Sequence, residues 1–164
     1  MSDATPTGEG WPPPPPARSP YGSLLSRFGA RIVDGIIVSI VVAVVFAVIP
    51  GLELGGLVYG VVSALANFGY FVYLESSRGS TFGKQLLGLR VAGLDGSSPV
   101  TMDAAARRNA WVLIGVLSGI PVIGFLAGLA SLAVVIAIAV TISSDERKQG
   151  LHDKFADTLV LGRP

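Results

Sequence analysis

Long apolar stretches alternate with polar ones along this chain. From Ile32 to Ile49 the only ionisable residue is Asp34, and the stretch ends at Pro50-Gly51, a strong helix-breaking pair. A run of that length and composition predicts a transmembrane helix over about 24–49. A second run predicts another over about 54–74. It carries Ser63 and Asn67 near its middle, and Gly56, Gly60 and Ala64 at four-residue spacing. Such small residues let helices approach closely in lipid, and Asn67 is expected to hydrogen-bond across to a neighbouring helix. The apolar stretch from Trp111 to Ile142 is too long for one helix, at 1.5 Å per residue against about 30 Å of hydrocarbon. Gly119-Ile120-Pro121-Val122-Ile123-Gly124 interrupts it and predicts two helices, about 103–119 and about 124–143.

The polar stretches complete the pattern. Residues 75–102 form a loop in which LLGLRVAGLDGSSPV reads as a short strand, an Asp95-Gly96 turn and a return, a β-hairpin. Thr101 or Asp103 is the expected cap of the helix that follows. In the tail, 144–164, the β-prone segment Thr158 to Leu161 is expected to pair with Leu89 to Ala92. Residues 1–22 hold the unbroken row Pro12 to Pro16 and read as a disordered, polyproline-like tail. Its partner would be a proline-recognising protein; the plainer reading is a solvated tether. The fold class is thus an all-α integral membrane protein. It has a bundle of about four transmembrane helices, with a small β-hairpin element, in a domain covering 23–164.

Composition agrees. The chain has 164 residues, 51% hydrophobic and only 14% charged, where a soluble domain carries about a quarter charged. A net charge of +1 gives no field for nucleic acid, and zero cysteines exclude disulfides and thiol chemistry. The charge distribution is more telling. Arg18, Arg27 and Arg31 precede the first helix, and Arg78, Lys84, Arg90, Arg107 and Arg108 lie between the second and third. Arg147, Lys148, Lys154 and Arg163 follow the last. The positive-inside rule puts both termini and the long loop in the cytoplasm, which requires an even number of spans. No cleavable signal peptide is evident, so the first helix is expected to be retained.

Candidate chemistry sits at the mouth of the first helix. Arg27, Arg31 and Asp34 fall at i, i+4 and i+7, on one face. An acid at membrane depth is costly and asks for a partner. Asp34 is expected to face the bundle and meet a cation: Arg31, Lys84, Arg90, Arg107 or Arg108. Asp153 and Asp157 from the tail are candidates to join them. Asn67, Lys84, Arg108 and His152 are secondary site candidates, with His152 expected as a structural hydrogen-bonder beside Asp153 on a surface tail. The segment Gly79-Ser80-Thr81-Phe82-Gly83-Lys84-Gln85 imitates a phosphate loop. It is one residue short between its glycines, and it has Gln85 where Ser or Thr should hold magnesium. Nucleotide binding is rejected there. No catalytic set, metal site or cofactor is expected.

Four separated motifs carry a resemblance: SRFGARIVDGII at 26–37, RGSTFGKQLLGLRV at 78–91 with the following Leu94-Asp95-Gly96, AARRNAW at 105–111, and GLHDKFADTLV at 150–160. In this order they resemble the RDD family of small bacterial membrane proteins, named for an arginine and two aspartates. The family arginine falls on Arg27 or Arg31, the first aspartate on Asp34 and the second on Asp153. The proline-rich head is similar to that of actinobacterial proline-rich antigen-like members. The resemblance implies a multi-pass protein of the bacterial plasma membrane with a transport role and no stated substrate. The leading expectation is movement of an ion or small solute by a homo-oligomer in the lipid bilayer, with Asp34 as the coupling acid. Arg27 or Arg31 would be its counter-ion or an anion contact, and Asp153 a cytoplasmic gate or anchor. The rival is a non-transporting scaffold whose proline-rich tail recruits partners, and an enzyme ranks last.

Overall fold

The structure, a computed structural model, describes residues 19–49 and 55–162. The expected disorder of the proline-rich tail therefore lies, up to residue 18, outside the described residues, as does the Pro50-Gly51 connection. The elements run α1 (Leu24–Val48), α2 (Gly56–Arg78), α3 (Phe82–Leu86), β1 (Leu89–Gly93), α4 (Met102–Asn109), a 3-10 segment (Ala110–Gly119), α5 (Ile123–Ser144), α6 (Leu151–Phe155) and β2 (Thr158–Gly162). Three helices, α1, α2 and α5, are long and apolar enough to cross a membrane. Their outward side chains, among them Ile36, Ile40 and Val44 on α1 and Leu129, Leu132 and Ile136 on α5, are exposed. Contiguous apolar faces of that extent are stable only against lipid or another apolar surface.

Local signals fix the element ends. Ser23 caps α1, its Oγ accepting from Ser26 N at 3.1 Å. Thr101 caps α4, its Oγ1 accepting from Ala104 N at 3.2 Å. α2 runs four residues beyond the expected Leu74, to Arg78, and ends where Gly79 adopts φ +67°. That extra turn carries Glu75 into the interior.

The third expected helix differs in kind. Only Met102–Asn109 is α-helical; Ala110–Gly119 continues as a 3-10 helix. This segment runs antiparallel along α2, with Asn109 bonded to Glu75 at one end and Gly119 against Gly56 at the other. A 3-10 helix rises about 2.0 Å per residue against 1.5 Å for an α-helix, so ten residues cover about 20 Å instead of about 15 Å. The small-residue stripe of α2 is the contact surface. A Cβ on Gly60 would stand 3.0 Å from Gly119 N, and Ala64 Cβ lies 3.7 Å from where a Cβ on Gly115 would be. A Cβ on Gly119 would collide with Gly56 O. Gly119→Val is therefore expected to separate α2 from the 3-10 segment. Reduced helicity and a fall in the detergent unfolding temperature by circular dichroism would register it, while Gly128→Val, in open space on α5, leaves both unchanged.

The dense packing lies at one end, where Ala30, Val72, Leu89, Val91, Val100, Ala104, Ala105 and Val160 form a buried cluster. β1 and β2 pair antiparallel there, Leu89 opposite Gly162 and Gly93 opposite Thr158, so the tail does join the loop. The expected hairpin within 75–102 does not form its return strand. The turn is present, with Gly93 N donating to Ser97 O at 2.9 Å and Asp95 Oδ1 accepting from Ser97 N at 3.0 Å. Beyond it, Ser98 Oγ takes Val91 O at 2.8 Å and Pro99 has no N–H to give, so the ladder is completed by β2. Residues 20–22, assigned from sequence to the tail, run along the other edge of β2. Gly22 N donates to Val160 O at 2.9 Å and Gly162 N to Pro20 O at 2.9 Å.

Candidate functional site

Beside the packed end lies a chain of buried charges that crosses five elements. Arg27 on α1 donates through Nη1 to Asp153 Oδ2 on α6 at 2.7 Å, and through Nε to Gly22 O at 2.9 Å. Asp153 Oδ1 pairs with Arg108 Nη1 on α4. Arg108 Nε reaches Glu75 Oε2 on α2 at 3.4 Å, and its Nη1 donates to Thr158 Oγ1 at 2.9 Å. Glu75 Oε1 accepts from Lys84 Nζ on α3, and Oε2 from Asn109 Nδ2 at 3.0 Å. Glu75 and Asp153 are fully buried, and Lys84 and Arg108 nearly so. Ionised groups removed from water survive only when paired and hydrogen-bonded.

Asp34 is also fully buried, but no cation bonds it. Its Oδ1 accepts from Tyr70 OH at 2.7 Å and Gly83 N at 2.7 Å, and its Oδ2 from Thr81 Oγ1 at 2.6 Å. The expected partnership with an arginine or lysine is thus corrected: two hydroxyls and a backbone amide satisfy the carboxylate. The segment that imitates a phosphate loop does hold an anion, and the anion is the protein's own Asp34. Gly83 is required by this approach, since a Cβ there would collide with Ala30 O and stand 2.9 Å from Asp34 Cγ.

Arg31, one turn from Arg27, does not pair with Asp34 as its i, i+3 spacing allowed. Its guanidinium lies over the Phe71 ring, Cζ 3.6 Å from the centroid, with Trp111 at 4.9 Å. Its side-chain hydrogen bond goes to Asn109 Oδ1 at 3.5 Å, the limit of such a contact. Arg31 lines a cavity of about 200 Å³ together with Arg27, Asp34, Lys84, Arg108 and His152.

The other sequence candidates are placed as follows. Asn67 turns back along its own helix to Ser63 O at 3.0 Å instead of crossing to a neighbour, because an amide at i can always reach the i−4 carbonyl. His152 is not on a surface tail. It is largely buried, its Nε2 3.3 Å from Asp153 Oδ1 and its Nδ1 without a partner. Burial pushes its pKa down to about 3, with Asp153 opposing and Arg108 reinforcing the shift, so the ring is neutral at pH 7. Asp153 is pushed down to about 2, the two cations beside it and His152 overcoming the cost of burial. Burial lowers Lys84 below its ordinary range while Glu75 pulls it upward. Asp157, Arg90 and Arg107 are exposed and outside the chain of charges, Arg107 pairing with Asp103 at 3.0 Å.

Sequence reasoning missed Glu75, Tyr70, Thr81 and Asn109 as members of the site. Glu75 offered a signal: an acid one step past the apolar run of α2, assigned to the loop. Among the described residues no cluster of three or more His, Asp or Glu converges as a metal set. Counted by formal charge, the three acids Asp34, Glu75 and Asp153 stand against four basic residues, Arg27, Arg31, Lys84 and Arg108, one more than the acids. Arg31 is the cation without an acid of its own.

Comparison with curated proteins and with solved structures returned no match. The family profile described as the RDD family matches residues 21–157, which takes in the first three motifs, the fourth as far as Asp157, and the whole buried charge chain. The chain is therefore a member of the RDD family, a membrane-protein family.

Proposed function

We propose that the protein binds and moves a small anionic or polar solute across the bacterial plasma membrane, using Arg31 as its contact. The observation that carries this reading is the Arg31 guanidinium in a cavity, placed over Phe71 and given one marginal hydrogen bond. A guanidinium with five N–H donors is normally engaged by carboxylate or phosphate. In this reading the 3-10 segment, which follows α2, serves as a fourth span beside the three long apolar helices α1, α2 and α5. The basic residues of α1's start, the loop and the tail gather at one end, consistent with cytoplasmic termini. A homo-oligomer would supply further walls for a path, and no catalytic role is assigned.

The scaffold reading has its own support, since the chain of ion pairs locks α1, α2, α4 and α6 together. Flux separates the two. Purified protein in proteoliposomes, tested against a panel of labelled anions and polar solutes, is expected to show uptake. Arg31→Gln should lose about 10–100-fold of it, the worth of one charged hydrogen-bonding contact. Absence of flux in both proteins, with retention of a partner by the N-terminal tail, would establish the scaffold instead. Asp34→Asn is a poorer probe, because an amide would meet three donors with one acceptor oxygen.

A further inference from the structure

The cavity at Arg31 is walled by carbon on two sides, with Leu24 and Phe28 from α1 facing Val135, Ile138, Ala139 and Ile142 from α5. Phe28 is 56% and Val135 37% exposed, so the cleft has a mouth between two helices whose outer faces suit hydrocarbon. It sits at the cationic end of both. A solute arriving from water gains little from such walls, whereas an alkyl chain gains with each CH₂ it buries.

We propose that the occupant is an acidic phospholipid, its phosphodiester docked on Arg31 and the first carbons of its tail lying between α1 and α5. The inference rests on the reading above that the cavity is a ligand site, and it names the ligand class. Three observations converge. The guanidinium sits over Phe71 and makes one hydrogen bond, at 3.5 Å to Asn109, in a group with five N–H donors suited to the paired oxygens of a phosphate. A phosphodiester brings one negative charge, and by formal charge the buried cluster holds one more basic residue than acids. The volume of about 200 Å³ is below the roughly 300–1,000 Å³ of sites that enclose a whole drug-sized ligand. It accommodates a headgroup and the start of a chain, with the rest of the tail left along the exposed helix faces.

The test uses delipidated full-length protein, with thermal unfolding and native mass spectrometry as readouts. Phosphatidylglycerol is the probe, phosphatidylcholine the uncharged control and inorganic phosphate the soluble source of the same chemistry. The expected result is retention of one phosphatidylglycerol per chain and a higher unfolding temperature than with phosphatidylcholine. Millimolar inorganic phosphate should have no effect. Arg31→Gln should weaken the lipid at least about tenfold. Ala139→Trp, which fills the cleft without touching a charge, should do the same and decides the matter if Arg31→Gln fails to fold. Equal protection by inorganic phosphate would overturn the lipid assignment while leaving a soluble anion at Arg31. Lipid binding unchanged in both variants, or no preference for phosphatidylglycerol in the parent protein, would overturn it as well. Loss of Arg31-dependent flux and of every Arg31-dependent ligand together would remove the underlying site.

Discussion

Glu75→Gln is expected to cost about 3–5 kcal/mol. The carboxylate joins Lys84, Arg108 and Asn109, and all four groups are buried. Gln keeps the shape and one acceptor but removes the charge, so the Lys84 ammonium and Arg108 guanidinium stay in a low-dielectric interior without their counter-ion. An unfolding temperature lower by about 6–20 °C in detergent would follow, taking the usual 2–4 °C per kcal/mol for a chain of this size. The converse change discriminates charge from packing. Glu75→Met combined with Lys84→Met removes both members of the pair, and should recover most of the loss, since replacing a buried pair by apolar residues is often neutral. A Glu75→Gln protein that melts with the parent would mean that water reaches this pair.

Stability is expected to fall as the solution is acidified from about pH 6.5, with His152 responsible for the first part. The folded state holds this ring neutral by burial, with a pKa of about 3 against the ordinary 6.5. The unfolded chain therefore takes up a proton that the folded one refuses. The contribution is complete above pH 6.5 and is lost as pH falls toward 3, at up to about 1.4 kcal/mol per pH unit and on the order of 4–5 kcal/mol in all. Asp153, depressed to about 2, adds to the loss only below about pH 4, because its stabilisation is present above the ordinary carboxylate range and disappears as pH falls through its folded value. Unfolding temperatures between pH 7.5 and 4.5 should drop less steeply in His152→Asn than in the parent. Parallel curves would show that the ring is protonated in the folded protein.

The apolar pattern was readable because lipid imposes one rule on every span: backbone groups must bond within the segment, so a long apolar run becomes a helix whatever its neighbours. α1, α2 and α5 follow from that rule alone, and the glycine stripe of α2 announced a close neighbour. The family motifs led to Arg27, Asp34 and Asp153, and the tail's pairing with Leu89 to Ala92 was visible in its β-branched composition. The 3-10 form of Ala110–Gly119 was not, since hydropathy is the same in either helix.

Partners were the other matter that sequence left open. Spacing placed Arg31 and Asp34 within reach of each other, yet Thr81, Gly83 and Tyr70 took the acid and Phe71 took the arginine. Periodicity along one helix says which side chains share a face; it is silent on what a loop forty-odd residues away brings to that face. The chain by itself determined that charges stand at the membrane boundary, because their cost there is a property of the residue. Which charge meets which, and which cation is left over, was decided only when α3, α4 and α6 closed on α1 and α2, because pairing energy depends on distances that no local pattern encodes.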